Sequence, residues 1–182
     1  MQAMTGRATR SISLLALAAA LGACTPALNW RQVSAGTSGV MWLMPCKPDQ
    51  ATRPVTLRVA NQDVQISLLL QGCEASNMQF TFGQMVVPQG LTASDAMRAW
   101  RLASVAPLEA APADVLVQTW AIQGARAQTP PERAQVVTGT HQVQWVWFAD
   151  GNKIYQAAVY GTAKDKGLPE AAETYFSGIK LP

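Results

Sequence analysis

The sequence predicts an α+β fold: an antiparallel sheet with two helices, at about residues 93–106 and 170–179, packed on one face. Three observations carry this reading. Segments with period-two apolar alternation outnumber those with helical spacing. Most connections between strand segments are short, which favours antiparallel neighbours. The two helical segments each show one apolar stripe, and a stripe of that kind needs a sheet to cover.

In chain order, residues 30–33 read as a first strand, followed by the small-residue loop Ser34-Ala35-Gly36-Thr37-Ser38-Gly39. Residues 40–44 are an unbroken apolar run of buried-strand length. Pro45-Cys46-Lys47-Pro48-Asp49 stops it, because each proline lacks a backbone donor and holds the preceding residue extended. Val55, Leu57 and Val59 then alternate with Thr56 and Arg58, and Val64, Ile66 and Leu68 with Gln65 and Ser67. With Ala60-Asn61-Gln62-Asp63 between them, the two runs make a β-hairpin. Residues 77–87 return as a strand with Met78, Phe80 and Phe82 on one face, ended by Pro88-Gln89-Gly90.

Thr92 or Ser94 can cap the first helix, and Asp95 suits its first turn. Ala96, Met97, Trp100, Ala103 and Val105 supply its apolar face. Residues 107–112 form an Ala- and Pro-rich linker, residues 115–122 carry both strand and short-helix signals, and Thr129-Pro130-Pro131 marks an exposed loop. Residues 134–139, 143–149 and 153–160 read as strands, with Asp150-Gly151 as a hairpin signal between the last two. Pro169 and Glu170 belong in the first turn of the last helix, whose stripe is Ala172, Tyr175, Phe176 and Ile179.

The N-terminal stretch determines where the chain goes. Residues 1–10 are polar with Arg7 and Arg10 as the charges, and residues 11–23 are mainly Leu, Ile and Ala, the layout of a secretory signal. A spanning helix needs about 20 apolar residues, more than this run supplies before Thr25-Pro26 interrupts it. Leu21-Gly22-Ala23-Cys24 places small residues before a thiol, and with it the stretch resembles a bacterial lipoprotein precursor. The resemblance implies that residues 1–23 are removed, that Cys24 carries the lipid with its palmitate-type chains, and that residues 24–29 are a short tether to a globular domain at 30–182. Thr25, where an Asp would retain a lipoprotein at the inner membrane, implies outer-membrane sorting with the domain facing the periplasm. Simple secretion is the alternative.

The net charge of +3 includes Arg7 and Arg10, so the exported part is nearly neutral. It has no run of like charge, which argues against a nucleic-acid partner. With Cys24 assigned to lipid, Cys46 and Cys73 remain, and an even pair in an exported domain reads as a disulfide.

Catalytic motifs are missing: the sequence has no G-x-S-x-G, H-E-x-x-H, P-loop or G-x-G-x-x-G. His141 is the one histidine, beside a turn, and Asp49, Glu74 and Asp150 sit in turns or linkers where acids are ordinary. No cofactor or metal site is expected. Trp145-Val146-Trp147-Phe148 sends Trp145 and Trp147 to one face of a strand and Val146 and Phe148 to the other. Such a strand is central, and the Trp145/Trp147 face either packs in the core or is the candidate ligand or partner face.

The strand at 40–44 running into Pro45-Cys46-Lys47-Pro48, the central helix, the Asp150-Gly151 hairpin and the closing Tyr175-Phe176-Ser177-Gly178-Ile179 give an element order that resembles the PsbP-like group of exported and lipid-anchored α+β domains, over about residues 30–181. The expected function is a lipid-anchored envelope protein, attached to the membrane through its N-terminal lipid. It would act as a non-catalytic binding or assembly module for an envelope protein or an apolar ligand. The alternative is a periplasmic hydrolase with an unusual Ser/Lys or carboxylate site.

Overall fold

The computed structural model describes residues 28–34, 38–59, 62–111, 114–125 and 129–182. The signal segment and Cys24 lie outside the described residues, as do Ala35–Thr37 of the first loop and Ala60 and Asn61 of the hairpin turn. The elements are β1 (Arg31–Ser34), β2 (Met41–Met44), β3 (Asp49–Val59), β4 (Gln62–Ala75), β5 (Met78–Val86), α1 (Ala93–Val105), β6 (Leu116–Thr119), β7 (Glu132–Thr138), β8 (His141–Asp150), β9 (Lys153–Thr162) and α2 (Leu168–Ser177). The fold is α+β. Seven strands form one antiparallel sheet in the order β3-β4-β5-β9-β8-β7-β6, and β1 and β2 pair separately as a two-stranded sheet.

Local chemistry accounts for the boundaries. Thr92 caps α1, its hydroxyl accepting the Asp95 N–H at 3.1 Å while donating to the Asp95 carboxylate at 2.6 Å. The predicted linker after α1 contains a single 3-10 turn at Ala106–Leu108. Ala75 pairs with Met78 across Ser76 and Asn77, both at positive φ (52° and 61°), the backbone of a type I′ turn. In the β8–β9 hairpin Asp150 pairs with Lys153, so the turn residues are Gly151 and Asn152. The positive φ of 57° falls on Gly151, which adopts it without steric penalty.

The two helices do not share a face, and this corrects the sequence expectation. The reason lies in the central strands, which are apolar on both sides. Trp145, Trp147, Ile154, Ala158 and Met85 pack with Ala96, Met97, Ala99 and Trp100 of α1. Val146, Phe148, Tyr155, Ala157 and Phe82 pack on the other side with Ala172, Tyr175 and Phe176 of α2 and with Val40, Trp42 and Met44 of the β2 segment. A helix on one face alone would leave the second set in water, where each large side chain forgoes about 1.5–3 kcal/mol of burial.

The α1 layer seats Trp100 over Gly83, where an added Cβ would lie 3.0 Å from the indole ring. Gln156, buried in the same layer, donates to Ser104 of α1 at 2.7 Å. On the α2 side, Trp42 stacks on Phe82 with ring centroids 3.7 Å apart, and Trp30 meets Phe80 edge-on at 5.7 Å. The segment after α2 completes this layer: Lys180 exchanges backbone hydrogen bonds with Met41 (3.0 and 2.8 Å), and the Leu181 N–H donates to the Gln123 carbonyl at 2.9 Å.

Cys46 and Cys73 form a disulfide, with Cα atoms 6.0 Å apart. It ties the exit of β2 to β4 and so fastens the α2-side layer to the large sheet. Closing a loop with a sequence separation of 27 is worth about 3.5 kcal/mol in a chain-entropy treatment.

Trp145 and Trp147 are fully buried under α1, their rings 5.7 Å apart. Cutting Trp147 to Ala should therefore destabilise the protein by about 3–5 kcal/mol. Urea denaturation checks this, and a variant that unfolds at the wild-type midpoint would contradict the packing.

Candidate functional site

On the α2 side the large sheet extends past the helix, and the exposed part is built around Arg133. Arg133 pairs with Val146 in the β7–β8 register, which turns its side chain toward α2. Its guanidinium donates to the Glu173 carboxylate of α2 at 2.7 Å and to the side-chain amide oxygen (Oε1) of Gln144 at 2.8 Å. Trp120 lies 4.4 Å and Phe176 5.3 Å from the guanidinium carbon, and the Arg133 side chain is 11% exposed. One cation thus joins β7, β8, α2 and the segment after β6, with its charge satisfied internally.

Beside this node is a depression of about 560 Å³, lined by Asp114, Leu116, Gln135, Val137, Gln142, Gln144 and Pro169. Gln135 and Gln144 are direct cross-strand partners, and Gln142 follows two residues before Gln144 on the same face. Carboxamides donate and accept at neutral charge, so this surface can bind peptide groups or polar uncharged ligands. They hold no proton to transfer near neutral pH, so the lining suits recognition.

A second depression, about 460 Å³, lies on the α1 face where the helix does not reach. Its walls include Asp49 and Arg53 of β3, Glu74 of β4, and Gln79 and Thr81 of β5. Gly72 keeps the floor flat, since a Cβ there would come within 3.1 Å of the Phe80 carbonyl oxygen. Of the acids singled out in the sequence, Asp49 and Glu74 therefore meet in one place, while Asp150 ends β8 at the opposite end of the sheet. His141 is exposed at the start of β8. Among the described residues no group of three or more His, Cys, Asp or Glu is arranged to hold a metal ion.

The fold is PsbP-like. The chain superposes on the solution structure of cyanobacterial PsbP (CyanoP) from Synechocystis sp. PCC 6803 with a TM-score of 0.51 at 12% identity, over 89% of this chain and 99% of that one. At that identity the likeness concerns the arrangement of elements alone. No family model matches the sequence, and no curated protein matches it.

The sequence-predicted site residues are placed as follows. Cys24 lies outside the described residues, Cys46 and Cys73 are bonded, and Trp145 and Trp147 are inside the α1-side core and not on an open face. Missing from the sequence reading were Arg133 and the three glutamines. Gln142 and Gln144 at a two-residue spacing, just before the aromatic run of β8, were the available signal for a polar strip beside the core.

The α2 side also holds a buried tyrosine. Tyr175 donates to the Thr81 carbonyl at 2.8 Å. Complete burial, and then the nearby Tyr160, push its hydroxyl well above the ordinary tyrosine value. Burial raises Tyr160 and Tyr155 as well, partly offset by the polar groups of Trp145 and Thr81 near the first and of Ser38 near the second. A raised folded-state value means that the native state keeps its proton where the unfolded chain loses it. The stabilisation is thus fully present below about pH 10 and is lost as pH rises beyond it. Tyr175→Phe should lower neutral-pH stability by about 1–2 kcal/mol through the lost hydrogen bond. Its denaturant midpoint should also fall less steeply above about pH 10 than that of the wild type, and equal alkaline slopes would contradict the assignment.

Proposed function

We propose that this protein is an exported, lipid-anchored binding module of the bacterial envelope, held at the outer membrane and recognising a partner through the carboxamide-lined depression beside α2. The anchor rests on Leu21-Gly22-Ala23-Cys24 and Thr25. Among the described residues no helix is long and apolar enough to cross a membrane, so in this reading the lipid provides the attachment. The observation that carries the binding role is the depression itself: Gln135, Gln142 and Gln144 present neutral donors and acceptors next to the exposed apolar Leu116 and Val137, a mixed lining of the kind found at recognition surfaces.

Two experiments test the two halves separately. Expressed as the full precursor, the wild type should fractionate with outer membranes on a density gradient, whereas Cys24→Ser should be released into the soluble periplasmic fraction. A Cys24→Ser protein still processed at residue 24 and bound to membranes would remove the anchor. For the binding role, a photo-cross-linking residue at Gln142 should give a discrete adduct in whole cells, while one at Leu102, exposed on the opposite face, should not. Identical adducts from both positions would show that the depression is not the binding face.

A further inference from the structure

We infer that the outer edge of β6 receives an extended segment of another polypeptide, which adds to the seven-stranded sheet as an eighth strand and lays its side chains over the carboxamide depression. The inference gives a partner class to the binding role proposed above and rests on that role, not on the lipid anchor.

The sheet has two edges, β3 and β6, and they are built differently. β3 carries Asp49, Arg53, Pro54 and Arg58, the charges and proline that keep an edge from pairing with foreign strands. β6 reads Leu116-Val117-Gln118-Thr119, with no charge and no proline, and all four residues are exposed.

The hydrogen-bond phase shows which groups are on offer. Trp120 donates its N–H to the Pro131 carbonyl at 2.9 Å, continuing the register Gln118↔Arg133 and Leu116↔Gln135. Antiparallel ladders bond at every second residue. Leu116 and Gln118 therefore turn their backbone groups toward β7, and Val117 and Thr119 turn theirs away from the sheet. An incoming strand finds two donors and two acceptors already in line.

Side chains flank that row on both faces. Leu116 (61% exposed) and Val137 (59%) stand on the α2 face, and Val117 (42%) on the other. Alternate residues of the segment on the α2 face point into the 560 Å³ depression, whose one charged lining residue is Asp114. A basic side chain at that end complements it. A second copy fits poorly: β6 paired with itself is a ladder only about 13 Å long, far short of the roughly 1,200 Å² of total buried surface that a specific interface needs. The occupant is therefore an extended partner segment with β-branched or apolar side chains and a basic residue.

The probe is a peptide of about seven residues, alternating threonine and valine with a lysine at each end, added to the exported protein purified in mild detergent so that any lipid is kept. Amide exchange should slow by on the order of tenfold or more at Val117 and Thr119, with the amides of β3 unaffected. Val117→Pro removes an outward N–H and no bond to β7, so it should melt like the wild type and lose the protection. Thr119→Lys, which places a charge on the edge, is the second variant should the proline disturb the strand, and it should lose the protection too. Peptide protection in both variants equal to that of the wild type would overturn the inference. So would protection of β6 that appears without peptide and grows with protein concentration, which would assign the edge to a second copy. Adducts at Gln142 in whole cells together with no peptide effect on β6 would remove the edge while leaving the binding role in place.

Discussion

A strand that is apolar on both faces must be covered twice, and this requirement organises the molecule. β8 and β9 run through the sheet with Trp145, Trp147, Ile154 and Ala158 on one side and Val146, Phe148, Tyr155 and Ala157 on the other. Neither set tolerates water, so the chain must supply two layers, one from α1 and one from α2 with the β1–β2 segment. Each cover is shorter than the sheet it protects. Uncovered stretches include the Asp49–Arg53 end of β3 with the adjoining parts of β4 and β5 on the α1 face, and parts of β6–β8 on the α2 face, and those two are where the depressions form. The depression proposed for recognition is thus a by-product of how the core is roofed.

The two roofs are fastened by different means. α1 is held mainly by packing, with Trp100 on Gly83 and Gln156 bonded to Ser104. The α2-side layer is pinned by the Cys46–Cys73 bond, by Tyr175 on the Thr81 carbonyl, by Arg133 on Glu173 and Gln144, and by the backbone bonds of Lys180 and Leu181. This layer includes β1 and β2, only four residues each, which make a poor structure alone. The covalent and polar ties compensate for the small area that each strand buries by itself.

Much of the architecture could be read from the sequence because period-two and helical spacing are local properties. The hairpins, the capped α1 and the stripe of α2 follow from residues a few positions apart, and the disulfide followed from counting cysteines in a chain that reads as exported. The helix placement failed because the choice of face depends on which strands are neighbours, and neighbours such as β5 and β9 are far apart in the chain. The turn at Ser76-Asn77 was missed as a hairpin since it has no glycine, although both residues adopt left-handed backbone angles. Arg133 and the glutamines escaped because a polar residue on a half-covered strand looks like any solvated one until the edge of the helix above it is known. Trp145 and Trp147 illustrate the converse: their alternation gave the shared face, and only the packing of α1 showed that the face is closed.

The pairing of Lys180 and Leu181 with Met41 and Gln123 has a consequence for how the chain acquires its structure. The bonds to Met41 join residues separated by almost the length of the domain and run antiparallel, while the parallel bridge beside Gln123 closes a shorter span. A polypeptide synthesised N-terminus first exposes β1 and β2 long before α2 and residues 179–181 arrive. Throughout that interval Trp42 and Phe82 have only part of their final enclosure. Long-range closure of this kind makes folding slow, since the loop entropy is lost before the contacts form. The half-roofed intermediate would display its aromatic face to solvent, so the docking of residues 179–181 decides how long this chain is vulnerable to aggregation.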